Sequence, residues 1–400
     1  MNRFRANSRA LPPLLAALAM LGPFSIDTFF PAFQTMEAQF NVAPATMQLT
    51  LSVYLVAYAL MALLHGPLSD ALGRRGVIVY ALLVFAAASV GCALANSFQV
   101  LLLFRVLQGI SAGAGVIVGR AIIRDRFDGA DAQRLMSQVT LIFGVAPAIA
   151  PIVGGWLLTL FGWRSIFWAL GGFTAILALA ALAGLPETHP RARRSPLSLR
   201  SLLRTYGQIA RDRRFMMLAL ATCLNFSALF TYIASAPVVV LNLLKLNERE
   251  FAWLFVPAIG GMMIGSFLSG RFAGRFSSTR TVQIAYWVMG GGTLLNLVVC
   301  STLPPGLPQT VVPISLIGLG VALAFPTLTL LMLDRFPLVR GAAASVQMAI
   351  TLSFTAVVSA VISPRVSHSA LVLALTAGVL SLSGFIMWRR YLQTAPVTSD

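Results

Sequence analysis

One carboxylate stands alone in a long apolar stretch near the start of the chain. Asp27 lies between Leu11 and Phe33, where no other residue carries a charge. A charged group in the hydrocarbon of a bilayer is costly, by roughly a few kcal/mol or more, so it persists where it faces a cavity or takes part in function. Asp27 is therefore a candidate proton carrier or cation-binding group, and it makes the chain a candidate transporter.

An arginine and two tyrosines are expected at a similar depth in neighbouring helices. With the N-terminus on the inner side of the membrane and a rise of about 1.5 Å per residue, Asp27 lies about 9 Å below the outer end of its predicted helix. Arg105 lies about 10–11 Å below the outer end of a second predicted helix. Tyr54 would lie about 12 Å deep, and Tyr58 one turn further along the same helix. We expect Asp27 and Arg105 to be the proton-coupling residues, with Arg105 setting the pKa of Asp27, and the two tyrosines to line a substrate cavity.

A second polar strip is predicted in the other half of the sequence. Asn225, Thr231 and Tyr232 fall in one apolar segment, and we include Asn225 and Tyr232 among the candidate cavity residues. Simpler roles remain open for all of these side chains. Asp27 and Arg105 could form a static ion pair that only joins two helices, Arg105 could satisfy backbone carbonyls, and the aromatic rings could be packing residues.

Two prolines and two glycines are concentrated in one further apolar segment. Pro147 and Pro151 each remove a helical hydrogen bond and favour a kink, while Gly154 and Gly155 permit another helix to approach closely. This combination predicts a hinge or a tight contact rather than ordinary core packing.

The composition is that of a membrane protein with most of its residues in the bilayer. Hydrophobic residues make up 58% of 400 positions, charged residues only 10%, and the mean hydropathy is +0.84. A membrane-spanning helix needs about 20 mostly apolar residues, and no strand-like alternation recurs that would suggest a β-barrel. The sequence thus predicts an all-α membrane protein with twelve spans, numbered span 1 to span 12: 11–33, 46–67, 77–95, 98–121, 135–160, 165–185, 215–237, 251–270, 282–301, 310–331, 342–363 and 369–388.

The net charge of +17 would suggest a nucleic-acid-binding protein if the chain were soluble. The basic residues instead concentrate at both termini and in alternate loops between the predicted spans. The basic residues of the other loops are only Arg164, Lys245, Arg249 and Arg365. This asymmetry follows the positive-inside rule and predicts that both termini and the segment 186–214 are cytoplasmic. We expect the lipid bilayer, and no nucleic acid, as a partner.

One long polar linker divides the twelve spans into two sets of six. We expect an N-terminal half at 1–185, a cytoplasmic linker at 186–214 and a C-terminal half with a short tail at 215–400. The halves repeat weakly, because Asp125-Arg126-Phe127 after span 4 recurs as Asp334-Arg335-Phe336 after span 10. Parallel repeats that move as rigid bodies around a central cavity are typical of a large class of secondary transporters.

Six segments carry motifs, and in chain order they are Ser25-Ile26-Asp27-Thr28-Phe29-Phe30-Pro31, Gly66-Pro67-Leu68-Ser69-Asp70-Ala71-Leu72-Gly73-Arg74-Arg75, Arg105-Val106-Leu107-Gln108-Gly109, Ala150-Pro151-Ile152-Val153-Gly154-Gly155, Gly162-Trp163-Arg164-Ser165-Ile166-Phe167 and Ala234-Ser235-Ala236-Pro237. The second resembles the signature loop of the major facilitator superfamily, the third the motif of its proton-coupled members, and the fourth its antiporter motif. The other three are similar to segments of the Bcr/CflA group of bacterial drug exporters.

This resemblance implies the major facilitator fold and a proton-driven exporter of small amphipathic drugs, such as bicyclomycin or chloramphenicol-type antibiotics. It implies a multi-pass protein of the bacterial inner membrane that works by alternating access, as a monomer and without a cofactor. Asp27 falls on the acidic position of span 1 in the group, and Arg105 on the arginine of span 4. Pro147, Pro151, Gly154 and Gly155 belong to the antiporter helix.

The resemblance also implies a conformational latch in the loop after span 2, formed by Gly66, Asp70, Gly73, Arg74 and Arg75. Two departures from the superfamily pattern occur. Ala71 stands where a basic residue usually follows the acidic residue, which weakens one contact of the loop. Ala150 stands where the wider superfamily has glycine, although the smaller group often tolerates alanine.

Two other functions compete with drug export. An exporter of a metabolite such as an amino acid or sugar would need more fixed polar groups than this sequence offers. A membrane sensor would be expected to carry a soluble domain. We do not expect an enzyme or a metal site, because His65, His189 and His368 are dispersed and no nucleophile–base or metal-ligand spacing occurs.

The charge asymmetry can be tested by thiol labelling. We expect single cysteines placed at position 2 and within 186–214 to resist a membrane-impermeant thiol reagent in intact cells, because both sites are predicted to be cytoplasmic. The same cysteines should react once the membrane is permeabilised. Ready labelling of either position from outside would contradict the predicted topology.

Overall fold

The computed structural model describes residues 2–194 and 197–394 of the chain. It is 85% helical and has no strand among these residues. Their α-helices are α1 (Asn2–Asp27), α2 (Phe33–Phe40), α3 (Pro44–Met47), α4 (Leu49–Leu72), α5 (Arg74–Ala93), α6 (Phe98–Ala112), α7 (Ala114–Arg126), α8 (Gly129–Phe161), α9 (Arg164–Gly184), α10 (Leu199–Arg211), α11 (Arg213–Ala234), α12 (Ala252–Phe272), α13 (Ser278–Thr302), α14 (Val311–Asp334), α15 (Arg340–Val357), α16 (Ser363–Val366) and α17 (Ala370–Thr394).

The described residues contain twelve segments that are long and apolar enough to cross a membrane, so the predicted number of spans is confirmed. Most spans are single helices, with α5, α8 and α9 forming spans 3, 5 and 6, and α11 to α14 forming spans 7 to 10. Span 12 is α17. Spans 1, 2, 4 and 11 each combine two helices, which are α1 with α2, α3 with α4, α6 with α7 and α15 with α16.

Span 1 differs from the prediction because it is interrupted and longer. It runs to Phe40 rather than Phe33, and α1 ends at Asp27. In a continuous helix the carbonyl of Asp27 would accept the N–H of residue 31, and that residue is Pro31, which has none. The proline therefore accounts for a break in span 1 at the position of its only acidic residue before Glu37.

The chain forms two compact units. The first comprises Met1–Ser198 with Glu248–Ala252, and the second comprises Leu199–Asn247 with Trp253–Asp400. In the first unit span 1 packs against span 5, span 2 against span 4, and span 3 against span 6. In the second unit span 7 packs against spans 10 and 12, and span 9 against span 10.

Glycines allow several of these helix pairs to approach backbone to backbone. A Cβ on Gly109 would overlap the Tyr54 carbonyl oxygen, so spans 4 and 2 meet backbone to backbone at this point. In the second unit, a Cβ on Gly261 or Gly265 would overlap a carbonyl oxygen of span 10 in the same way. Small residues of this kind let membrane helices gain dispersion contacts at short separation.

The antiporter helix makes the contact that matters most for Asp27. α8 continues without interruption through Pro147 and Pro151, so neither proline ends the helix. A Cβ on Gly154 would overlap the carbonyl oxygen of Thr28, the residue after Asp27. Span 5 is thus held directly against the break in span 1.

A matched pair of glycine substitutions tests this contact. We expect Gly154→Ala to lower the midpoint of thermal unfolding in detergent and to impair transport, because the new methyl group must push span 5 away from Thr28. The expected destabilisation is about 1–3 kcal/mol. Gly144→Ala, in the same helix but with no atom near the added carbon, should change the midpoint and transport little. Equal effects of the two substitutions would contradict the proposed packing.

Candidate proton-coupling site

Asp27 is buried at the interruption of span 1. Its exposed fraction is 4%, and Oδ1 has no hydrogen-bond partner among the described residues. Thr28 follows it in a turn, with its N–H and its hydroxyl both donating to the Phe24 carbonyl. The break that Pro31 introduces therefore places a single carboxylate in the interior of the first unit.

Arg105, in α6, is fully buried and is held by uncharged acceptors. Its Nε donates to the Thr50 carbonyl at 3.1 Å. Its Nη1 donates to the Ser25 carbonyl at 3.1 Å, to the Ser25 Oγ at 3.3 Å and to Gln108 Oε1 at 2.7 Å. One guanidinium therefore connects span 4 to spans 1 and 2.

Two aromatic rings cover the same guanidinium. Its central carbon lies 4.4 Å from the ring centroid of Phe29 and 4.5 Å from that of Tyr54. The electron-rich ring faces attract a cation by about 0.5–2 kcal/mol each. The charge of Arg105 is thus balanced by ring faces and carbonyl dipoles, while Nη2 has no acceptor among the described residues.

Asp27 and Arg105 do not form an ion pair among the described residues. Arg105 binds the residue two positions before Asp27 and the ring two positions after it, but its guanidinium does not bond to the carboxylate. The static ion pair that the sequence left open is therefore absent, and the carbonyl-binding alternative for Arg105 is observed. Asp27 and Arg105 are therefore both buried without an ion-pair partner among the described residues, and Arg105 contacts the residues two positions before and two positions after Asp27.

A chain of polar side chains extends this site into span 3. Gln108, whose Oε1 accepts from Arg105, donates through Nε2 to Ser89 Oγ at 2.8 Å, and Cys92 Sγ lies 3.7 Å from the same Oε1. All three side chains are buried. Gln108 lies in the motif Arg105-Val106-Leu107-Gln108-Gly109, but no role was predicted for it. Its position three residues after Arg105, on the same helical face, is the signal that would have identified it.

Tyr54 and Tyr58 are both buried in span 2, with exposed fractions of 0% and 3%. Their rings meet edge to face with centroids 6.1 Å apart. Tyr54 covers Arg105, so the structure confirms that these two residues share one depth. Tyr58 lies against Gly22 and Gly113, where a Cβ on either glycine would contact its ring.

The candidate cavity residues of the second unit are paired with span 9. Asn225 Nδ2 donates to the Tyr286 hydroxyl at 2.9 Å, and Asn296 Nδ2 donates to the Tyr232 hydroxyl at 2.6 Å. Asn225 and Tyr232 are 2% and 3% exposed. These hydrogen bonds indicate that Asn225 and Tyr232 connect span 7 to span 9. A contact of either residue with substrate stays a prediction. Tyr286 and Asn296 were missed, although each is a polar residue within an apolar span.

The signature loop is organised around Arg74. Its guanidinium contacts Asp70 at 2.5 Å, Ser69 Oγ at 2.5 Å and Asp125 at 3.2 Å. Its backbone N–H donates to Glu187 Oε1 at 2.9 Å. The loop is thereby joined to the ends of spans 4 and 6 within the first unit.

The remaining predicted latch residues have distinct environments. Gly73 has φ +100°, a backbone conformation that residues other than glycine rarely adopt. A Cβ there would also crowd the side chains of Glu187 and Arg194. Arg75 donates to the Leu182 carbonyl. A Cβ on Gly66 would meet no atom, so this glycine has no packing role here. The side chain of Asp70 is 47% exposed, which leaves it able to bind a further group.

The repeated Asp-Arg-Phe segments are used differently in the two units. Asp125 binds Arg74 and accepts the Thr188 hydroxyl at 2.7 Å. In the second unit Arg335 binds Asp212 through two hydrogen bonds, and Asp334 pairs with Arg340. At the end of span 4 the repeat thus forms an ion pair through its Asp, and at the end of span 10 it forms ion pairs through both its Asp and its Arg.

The described residues contain no cluster of three or more His, Cys, Asp or Glu side chains that could hold a metal ion. The site therefore contains one carboxylate, one guanidinium and uncharged hydrogen-bonding groups. Such groups can hold, release and exchange a proton, and a neutral or cationic ligand can compete with the proton for the carboxylate.

Comparisons with known proteins agree with this architecture. The chain is 35% identical over 280 residues to an uncharacterized MFS-type transporter, YdgK, of Bacillus subtilis (strain 168), with 69% of each chain covered. It is 28% identical over 271 residues to the bicyclomycin resistance protein homolog of Haemophilus influenzae (strain ATCC 51907 / DSM 11121 / KW20 / Rd), with 68% of each covered. A crystal structure of a bacterial homolog of the human lysosomal transporter Spinster superposes with a TM-score of 0.74 at 18% identity, covering 98% of this chain and 99% of that one.

The family model of the Major Facilitator Superfamily matches residues 15–364, which is most of the chain. Proteins with this fold are transporters and not enzymes. The twelve spans, the signature loop and the match over this range lead to one conclusion: the chain belongs to the major facilitator superfamily.

Proposed function

We propose that the chain is a proton-driven exporter of small amphipathic compounds, of the Bcr/CflA type, that works by alternating access. The observation that supports this most strongly is that Asp27 is buried and has no cationic partner within residues 2–194 and 197–394. A charged carboxylate in that position is costly unless a proton or a ligand compensates it. Binding of one of these can therefore be exchanged for binding of the other.

Asp27 carries the exchange in this mechanism. A proton taken up from the outer side neutralises the carboxylate, and its release to the inner side leaves an anion that a drug cation or a hydrogen-bond donor can compensate. Arg105 is a positioning residue, because its bonds to Ser25 and Thr50 fix the segment on which Asp27 lies. The contact of Gly154 with Thr28 fixes that segment from the other side.

Similar proteins support the substrate class. The names of the relatives include a bicyclomycin resistance protein homolog and the multidrug resistance protein MdtL, from Escherichia coli among others. We propose the bacterial inner membrane as its location, with both termini cytoplasmic, and a monomer as its active form. Tyr54, Tyr58, Asn225 and Tyr232 stay candidate substrate contacts.

The carrier role of Asp27 predicts a selective loss of drug export. In an efflux-deficient bacterial host, the wild-type chain should raise resistance to bicyclomycin or a phenicol, and Asp27→Asn should remove the increase while the protein remains folded in the membrane. In everted vesicles, Asp27→Asn should also abolish drug uptake driven by a proton gradient, because a side-chain amide does not ionise near neutral pH and so cannot alternate between a protonated and a charged form. Asp128→Asn removes an exposed carboxylate and should keep both activities.

Two outcomes would contradict the proposal. Full resistance with Asp27→Asn would show that another group carries the proton. Protection by the wild-type chain only against excess amino acid or sugar, with no drug resistance, would favour the metabolite exporter.

The latch role of Asp70 gives a second prediction. Asp70 binds Arg74 and keeps a partly exposed carboxylate, which leaves it available for a further contact when the protein changes conformation. Asp70→Asn should slow transport of every substrate by a similar factor and leave equilibrium drug binding within a few fold of wild type. Asp131→Asn, at an exposed position, is the control. A loss confined to one drug would place Asp70 in the binding path instead.

A further inference from the structure

α10, the helix between the two sets of six spans, has three distinct longitudinal strips. It packs against α11 and α15, and Ile209 is fully buried. At about 100° per residue, Leu199, Leu203 and Ala210 form a second strip beside the buried one. Leu199 is 58% exposed and Leu203 is 70% exposed, so the described residues leave most of this apolar strip uncovered.

Three arginines form the third strip. Arg200, Arg204 and Arg211 are exposed and lie within about 40° of one another around the helix. They directly flank the exposed leucines, and the polar residue Gln208 lies beyond them. No carboxylate within α10 balances their charge, because Leu199–Arg211 contains no Asp or Glu.

The junction between α10 and span 7 fixes where these strips lie. Only Asp212 separates the last residue of α10 from the first residue of α11. Asp212 accepts the Phe215 N–H at 2.7 Å and two hydrogen bonds from Arg335, at 2.8 and 2.6 Å. Burial raises the pKa of Asp212, but the bonds and charge of Arg335 and the backbone N–H groups outweigh it, so the pKa lies below its usual value.

This junction holds α10 at the level where span 7 enters the bilayer. At that level the bilayer surface presents acyl chains next to phosphate oxygens. The apolar strip of α10 suits the acyl chains, and the neighbouring arginine strip suits the phosphates. Helices of this type lie in the interface with their apolar face at the boundary of headgroups and acyl chains. Anionic lipids attract arginines there by about 1 kcal/mol per residue in other proteins.

We propose that α10 docks on the bilayer surface, with Leu199 and Leu203 entering the acyl boundary and Arg200, Arg204 and Arg211 binding the phosphates of anionic phospholipids. The charge of the arginine strip selects anionic over neutral headgroups. The docking is independent of the transported substrate, and it determines the angle at which the linker meets span 7.

A site-specific dye on the full-length chain tests this docking. The label is attached at Leu203→Cys in a background in which Cys92, Cys223 and Cys300 are replaced by alanine, and the protein is placed in nanodiscs of phosphatidylcholine with or without phosphatidylglycerol. The dye should show blue-shifted emission and quenching by a lipid-linked quencher with phosphatidylglycerol present, and a weaker response without it or at high salt. A dye at Gln208→Cys should report water in both lipids.

Charge variants make the test specific. Each Arg→Gln change among the three should lower the ratio of docked to undocked helix about fivefold, and Arg→Lys at the same positions should keep it. Unchanged thermal unfolding of these exposed variants excludes misfolding as the cause. Two results would overturn the proposal. In the first, the dye at position 203 is as accessible to water as the dye at position 208. In the second, the dye at position 203 is equally protected in both lipids and in all charge variants.

Discussion

The structure of the first unit depends on keeping an acid and a base buried close together without an ion pair. Burial of either charge is costly, and the attraction within a direct pair would offset only part of that cost. Arg105 instead binds carbonyls, an amide oxygen and two ring faces, and Asp27 has no cationic partner in the part of the chain that the structure describes. A carboxylate left in this state responds strongly to a proton or a ligand, which is the property that coupled transport requires.

The backbone arrangement follows from the same constraint. Pro31 ends α1 at Asp27, and Gly154 lets span 5 reach the carbonyl of Thr28. The antiporter motif and the acid of span 1 are therefore one structural feature rather than two. Gln108 and Ser89 continue the support into span 3, so that four helices hold the position of a single carboxylate.

The sequence predicted the spans well because hydrophobic length is a local property, and all twelve are present. It also predicted that Arg105 and Tyr54 share a depth, since depth depends only on helical rise. It did not predict the partner of Arg105, because the choice between a carboxylate and carbonyls depends on helix rotation and approach. The same limitation applies to Asn225 and Tyr232, whose tyrosine and asparagine partners lie in span 9. The break at Asp27 could have been anticipated from the spacing to Pro31.

In the proposed mechanism, Asp27 exchanges a proton for the transported compound. The most direct test of this exchange is the release of protons into a weakly buffered solution when drug is added to purified protein. We expect proton release from the wild-type chain and none from Asp27→Asn, with drug binding to the variant still measurable by an independent method. Release of equal size from Asp27→Asn would show that the buried carboxylate does not carry the proton.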